Sequence, residues 1–127
     1  MHIITKTKNI ELTESMQIMV ERKIGSLKKF IKGFEYHSLP VVAGRDLFET
    51  FVEVKRETMH HRKGDVFVTE VKMYLPGKTL FAKAHGDNVV RTISDVRDEL
   101  EREIRKYKTK VVEFPRQKAK KFRKESF

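Results

Sequence analysis

"DVFVTEVKMYLPGKTLFAKAHGD", residues 65–87, decides the fold, because two alternating runs flank a Pro-Gly pair. In the first run Val71, Met73 and Leu75 recur at two-residue steps, the period that sends successive side chains to opposite faces of a strand. In the second, Leu80, Ala82 and Ala84 fall on one side and Thr79, Phe81 and Lys83 on the other. Pro76 presets a turn conformation and Gly77 bends without a Cβ penalty, so strands over 65–75 and 79–84 meet in a tight turn. Working towards the N-terminus, residues 48–57 alternate around Val52 and Val54 and read as another strand. "TMHHRKG", residues 58–64, then becomes a hairpin connection ending at Gly64, and the three strands form an antiparallel meander.

A sheet with one apolar face needs a cover, and two helical patterns supply it. Met16, Val20, Ile24, Leu27 and Ile31 step by three and four residues, with Thr13 as N-cap and Gly33 as the stop, predicting one helix over 14–32. Beyond the meander, Asp87 is the expected cap of a second helix. There Val89 or Val90, Ile93, Val96 or Arg97, Leu100, Ile104, Tyr107 and Val111 keep helical spacing for about six turns. The opening "HIITKTK" reads as a strand closed by a turn at Asn9. The fold class is therefore α+β, in the order β-α-β-β-β-α: a four-stranded sheet with two helices packed on one face. Residues 1–112 form the domain and 113–127 a basic tail expected to be mobile, while "GFEYHSLPVVAGRDL", residues 33–47, carries no period because Pro40 and Gly44 interrupt it.

Composition narrows the chemistry. A chain of 127 residues suits one domain. It has no cysteine, which excludes disulfides and thiolate metal sites and fits a reducing compartment. No run approaches a membrane span or a secretory apolar region, so the expectation is a soluble cytoplasmic protein without a membrane partner. Catalysis has no foothold: no Gly-x-Ser-x-Gly, P-loop or dinucleotide-binding pattern occurs, and neither a small-molecule substrate nor a cofactor is expected. His60 and His61, with Glu57 and Asp65 nearby, suggest a metal, but adjacent residues of an extended chain point to opposite faces. A basic loop tip is the better reading, in which His61, Arg62 and Lys63 are phosphate contacts, and His85 is a surface residue.

Charge supplies the positive signal. The net charge is +10, from 28 Lys plus Arg against 18 Asp plus Glu. Residues 114–127 hold six basic residues and one acid. Such a balance favours phosphate partners, because Lys and Arg release condensed counterions from a nucleic acid. In the first helix Arg22, Lys23, Lys28, Lys29 and Lys32 crowd the C-terminal half. In the second, an acid-rich stretch through Glu103 gives way to Arg105, Lys106, Lys108 and Lys110. Cations at a helix C-terminus also complement its dipole, so charge alone leaves a binding surface and a solvated basic face both open. The acids Asp98 and Glu101 are placed to pair with Arg102 and Arg105 at i,i+4.

Taken together, "NIELTESMQIMVERKIGSLKKF", "VKMYLPGKTLFAKAHGD" and "LEREIRKYKTK", in this order and at these distances, resemble the ribosome hibernation-promoting factor and ribosome-associated translation inhibitor family, also called sigma-54 modulation proteins. The likeness covers residues 1–112. It implies a non-catalytic, stress-linked domain that docks on the small ribosomal subunit near the decoding centre and blocks tRNA and mRNA sites, as a monomer off the ribosome. The rRNA contacts it implies are Lys23 and Lys29 on the first helix, with Arg102, Arg105, Lys106, Lys108 and Lys110 on the second; Arg22 and Lys28 join them by position. The resemblance is to a short form, with Lys118, Lys120 and Lys121 of the tail as further contacts. This chain departs from the family pattern at Ser26, Glu99 and the Val89-Val90 pair. A double-stranded RNA-binding domain and a protein-interaction regulator are the alternative readings.

Overall fold

The computed structural model describes residues 1–32, 48–58 and 65–113. In chain order the elements are β1 (His2–Lys8), α1 (Glu14–Gly25), α2 (Lys28–Ile31), β2 (Glu49–Thr58), β3 (Asp65–Leu75), β4 (Lys78–Gly86) and α3 (Val89–Lys108), after which a π-helical turn runs over Thr109–Glu113. The expected loop tip at 59–64, the irregular stretch 33–47 with its stop at Gly33, and the tail from 114 lie outside the described residues.

The four strands form one sheet in the order β1-β2-β3-β4. The meander is antiparallel, with Val52 opposite Val71, Val71 opposite Ala82 and Met73 opposite Leu80. β1 adds to β2 in parallel, pairing Ile3 with Thr50 and Thr5 with Val52, so the sheet is mixed. A parallel neighbour cannot be reached by a hairpin, and the segment holding α1 and α2 provides the crossover. These registers put Val52, Val54, Val71, Met73, Leu80 and Ala82 on one face, where all six are buried against Met16, Val20, Ile24, Leu27 and Ile31 and against Ile93, Val96, Leu100 and Ile104. The apolar stripes of both helices thus cover the same face of the sheet. Val89 packs against this core while Val90 is 49% exposed, and Val96 is buried where Arg97 is not, which resolves both ambiguous positions.

The first helix is not continuous. α1 ends at Gly25, a poor helix residue, and Ser26 donates its hydroxyl to the Lys23 carbonyl at 2.6 Å. The next bonds, Leu27 N–H to Ile24 O and Phe30 N–H to Leu27 O, span three residues, so the backbone tightens before α2. Leu27 and Ile31 stay buried because this tightening preserves their three- and four-residue steps. The second helix begins one residue later than expected. Asn88, not Asp87, is its N-cap, accepting the Arg91 N–H on its side-chain oxygen at 3.3 Å. Thr13 caps α1 as anticipated, accepting from Met16 N–H at 3.1 Å.

On the covered face Thr69 and Thr92 find local partners, whereas the buried Thr5 hydroxyl, in register with Val52, has none among the described residues. Thr92 donates to the Val89 carbonyl at 2.8 Å, which leaves Thr69 as the donor in its 2.9 Å bond to Thr92. Gly77 sits at φ +78° in the β3–β4 turn, and a Cβ there would lie 2.8 Å from the Tyr107 hydroxyl oxygen. That hydroxyl donates to the Pro76 carbonyl at 2.7 Å and pins the C-terminal end of α3 to the turn. Partial burial pushes the Tyr107 hydroxyl above its ordinary pKa.

Candidate nucleic-acid interface

Topology decides where the cations go. β4 leads into α3 through a short turn, and the Tyr107–Pro76 bond shows that α3 returns to the start of β4. α1 and α2 run alongside it in the same sense, since Ser26 meets Arg97 while Phe30, one turn further on, reaches Arg105. Two parallel helices on one face have their C-terminal ends together, so the basic halves that are remote in sequence share one end of the molecule.

The contact between them is built on Phe30. Three cations surround its ring: the Arg105 guanidinium carbon is 4.8 Å from the centroid, Lys29 Nζ 5.1 Å and the Arg97 guanidinium carbon 5.7 Å. Each lies within the reach of a cation–π attraction. Arg97 is fixed further, donating from Nε to the Ser26 hydroxyl at 3.0 Å and pairing with Asp98 at 3.2 Å and Glu101 at 3.0 Å. Arg105 is 65% exposed, and its Nε lies 3.8 Å from the second Glu101 oxygen. The i,i+4 pairing of Glu101 with Arg105 is thus present but loose, whereas Asp98 pairs with its neighbour Arg97 and not with Arg102. Next to this cluster is an open cleft of about 280 Å³, lined by Phe30, Arg105, Lys108 and Thr109.

The predicted contacts divide by position. Lys29, Arg105 and Lys108 come together around Phe30. Arg102 and Lys106, four residues apart, occupy the exposed side of α3, and Lys110 follows them in the π-helical turn. Arg22 and Lys23 stand in the last turn of α1 and Lys28 at the start of α2. Among the described residues none of Arg22, Lys23, Lys28, Arg102, Lys106, Lys108 and Lys110 has a carboxylate within ion-pair distance. His61, Arg62, Lys63, Lys118, Lys120 and Lys121 lie outside the described residues. Sequence reasoning missed Phe30 and the inward role of Arg97. The available signals were an aromatic beside the apolar stripe of the first helix and an arginine within the stripe of the second.

Among the described residues no group of three or more His, Cys, Asp or Glu side chains is arranged to hold a metal. No helix among them is long and apolar enough to cross a membrane. What remains at the helix ends is a surface of cations that, apart from Arg105, have no carboxylate partner among the described residues, on two packed elements able to bind several phosphates at fixed spacing.

Comparison with known proteins bears on the same span. A ribosome hibernation promotion factor of Lactococcus lactis is 32% identical over 111 residues, covering 86% of this chain and 50% of that protein. One of Bacillus subtilis is 30% identical over 104 residues, covering 82% and 47%. The chain spans about half the length of these curated relatives. Among solved structures, a ribosomal subunit interface protein from Coxiella burnetii superposes with a TM-score of 0.62 at 16% identity, over 86% of this chain and 99% of that one. The N-terminal domain of Protein Y from Thermus thermophilus gives 0.58 at 18%, over 84% and 99%. Both share the fold. The sequence profile described as "Sigma 54 modulation protein / S30EA ribosomal protein" matches residues 3–112, from β1 to the turn after α3, and by that match the chain belongs to this family.

Proposed function

We propose that this chain is a non-catalytic, ribosome-associated hibernation factor that acts in the cytoplasm, occupying rRNA of the small subunit near the decoding centre and excluding tRNA and mRNA. The observation that carries the reading is the meeting of two cation-rich helix ends at one end of a rigid domain, with most of those cations free of carboxylates among the described residues. Phosphate contacts supply affinity, and the fixed spacing of the helices supplies register on a folded RNA. Membership of the family and the printed names of its curated relatives support the ribosome as the partner. The protein binds as a monomer under this reading, with His61, Arg62, Lys63, Lys118, Lys120 and Lys121 as further contacts.

Co-sedimentation tests it. Purified protein is mixed with ribosomes, with isolated small subunits and with free duplex RNA over a series of salt concentrations. Selective pelleting with ribosomes and small subunits, weakening steeply with salt, is expected. Equal binding to any duplex would replace this reading with general double-stranded RNA recognition, and no binding to any of the three would end both.

A further inference from the structure

The cations around Phe30 are not equivalent, and the difference assigns them different work. Arg97 spends its guanidinium inside the protein, on the Ser26 hydroxyl, Asp98 and Glu101, and its side chain is only 18% exposed. Arg105 stands two turns further along the same side of α3, held by the Phe30 ring at 4.8 Å and by Glu101 at a distance too long for a hydrogen bond. Its forked donors are therefore uncommitted to any acceptor among the described residues, and they border the 280 Å³ cleft together with Lys108. Thr109 forms the wall without donating into it, because its hydroxyl proton goes to the Arg105 carbonyl at 3.0 Å.

A long side chain that is free in solution loses rotamer freedom when it binds, whereas one already laid on a ring loses less. The Ser26–Arg97–Glu101 chain and Phe30 provide such a rest. We propose that the cleft beside Arg105 and Lys108 is a single-phosphate seat for RNA, and that Phe30 and Arg97 are positioning residues which hold the Arg105 fork over it without touching the RNA themselves. This rests on the ribosome reading above and deepens it. It also gives the departure at Ser26 a role, since its hydroxyl is the anchor for Arg97.

A double-mutant cycle on ribosome binding tests the proposal. Arg105→Ala is expected to weaken binding about tenfold, as the loss of a charge-assisted fork would. Phe30→Leu keeps an apolar side chain but removes the ring, and is expected to weaken binding about threefold. In the Arg105→Ala background Phe30→Leu should cost nothing further, and Phe30→Tyr should bind like the wild type. Arg97→Lys, which keeps the charge and loses the fork, should follow the same pattern as Phe30→Leu, with thermal melting showing that variant to be folded. Losses that add in the double variant, or an Arg105→Ala protein that binds like the wild type, would overturn the seat while leaving the ribosome reading intact. A wild-type protein that fails to bind ribosomes would overturn both.

Discussion

The helix ends and the open face of the sheet are both rich in lysine, yet they use it in opposite ways. On the open face Lys55 lies 3.0 Å from Glu53 and 3.2 Å from Glu70, and Lys83 lies 3.5 Å from Glu70, so two lysines neutralise two glutamates that face each other across β2 and β3. Hydrogen bonds to Glu53 and then Glu70 raise the Lys55 pKa, which keeps this ladder charged. Lys72 on the same face rests 5.4 Å over the Tyr74 ring. Within α3 the acids stop at Glu103, and the cations from Arg105 to Lys110 have no such partners among the described residues apart from the loose Arg105–Glu101 pair. Cross-strand pairs of opposite charge stabilise a sheet by tenths of a kcal/mol, whereas unpaired cations add little to a fold and much to phosphate affinity. Partnering, rather than the number of positive residues, distinguishes the candidate interface from the open face.

The largest effect that could break this contrast is on binding. Replacing Arg105, Lys106, Lys108 and Lys110 together by Ala should reduce ribosome affinity at moderate salt by about a hundredfold or more and make its salt dependence shallower, by close to one unit of slope per lost phosphate contact. Replacing Lys55 and Lys83 by Gln should leave affinity within about twofold, and sedimentation of the two variants side by side decides between them. Next in size is the turn that supports the patch. Gly77→Ala combines a positive φ with an approach to Tyr107, and should lower stability in urea unfolding by about 2 kcal/mol.

Tyr107→Phe tests the same junction more gently. It leaves the Pro76 carbonyl without this donor and should cost about 1 kcal/mol. Because burial raises the Tyr107 pKa in the folded state, its contribution is complete below the unfolded phenol value of about 10 and is lost as pH rises through the higher folded value. Unfolding followed at alkaline pH should show that loss in the wild type and less of it in Tyr107→Phe. The smallest effect is at the cap. Asn88→Ala should cost about 1 kcal/mol and Asp87→Ala less than about half that, a ranking that thermal melts resolve.

What could be read from the chain was local and periodic. Alternation around Val71 and Leu80 identified the meander, and the three- and four-residue steps through Ile24 and Ile104 identified the helices and the face they bury. Two neighbouring residues that can both cap a helix, Asp87 and Asn88, could not be separated without the backbone angles. The break after Gly25 turns on one hydroxyl reaching back to Lys23, a choice that a stripe of apolar residues does not record. The candidate site was legible as a set of cations but not as an arrangement. Ser26 and Arg97 are 71 positions apart, and Lys55 finds Glu70 only in one register of two strands. Which charges are spent and which are free is a property of the tertiary fold.

The absence of cysteine permits the most direct measurement. Single Thr109→Cys and His85→Cys variants place one thiol beside the basic cluster and one on the open face of the sheet, and each can carry a tethered hydroxyl-radical probe. Bound to ribosomes, the probe at 109 should cleave small-subunit rRNA near the decoding centre, and the probe at 85 should leave it largely intact. Cleavage as strong from 85, or from 85 alone, would contradict the assignment of the helix ends as the RNA-facing surface.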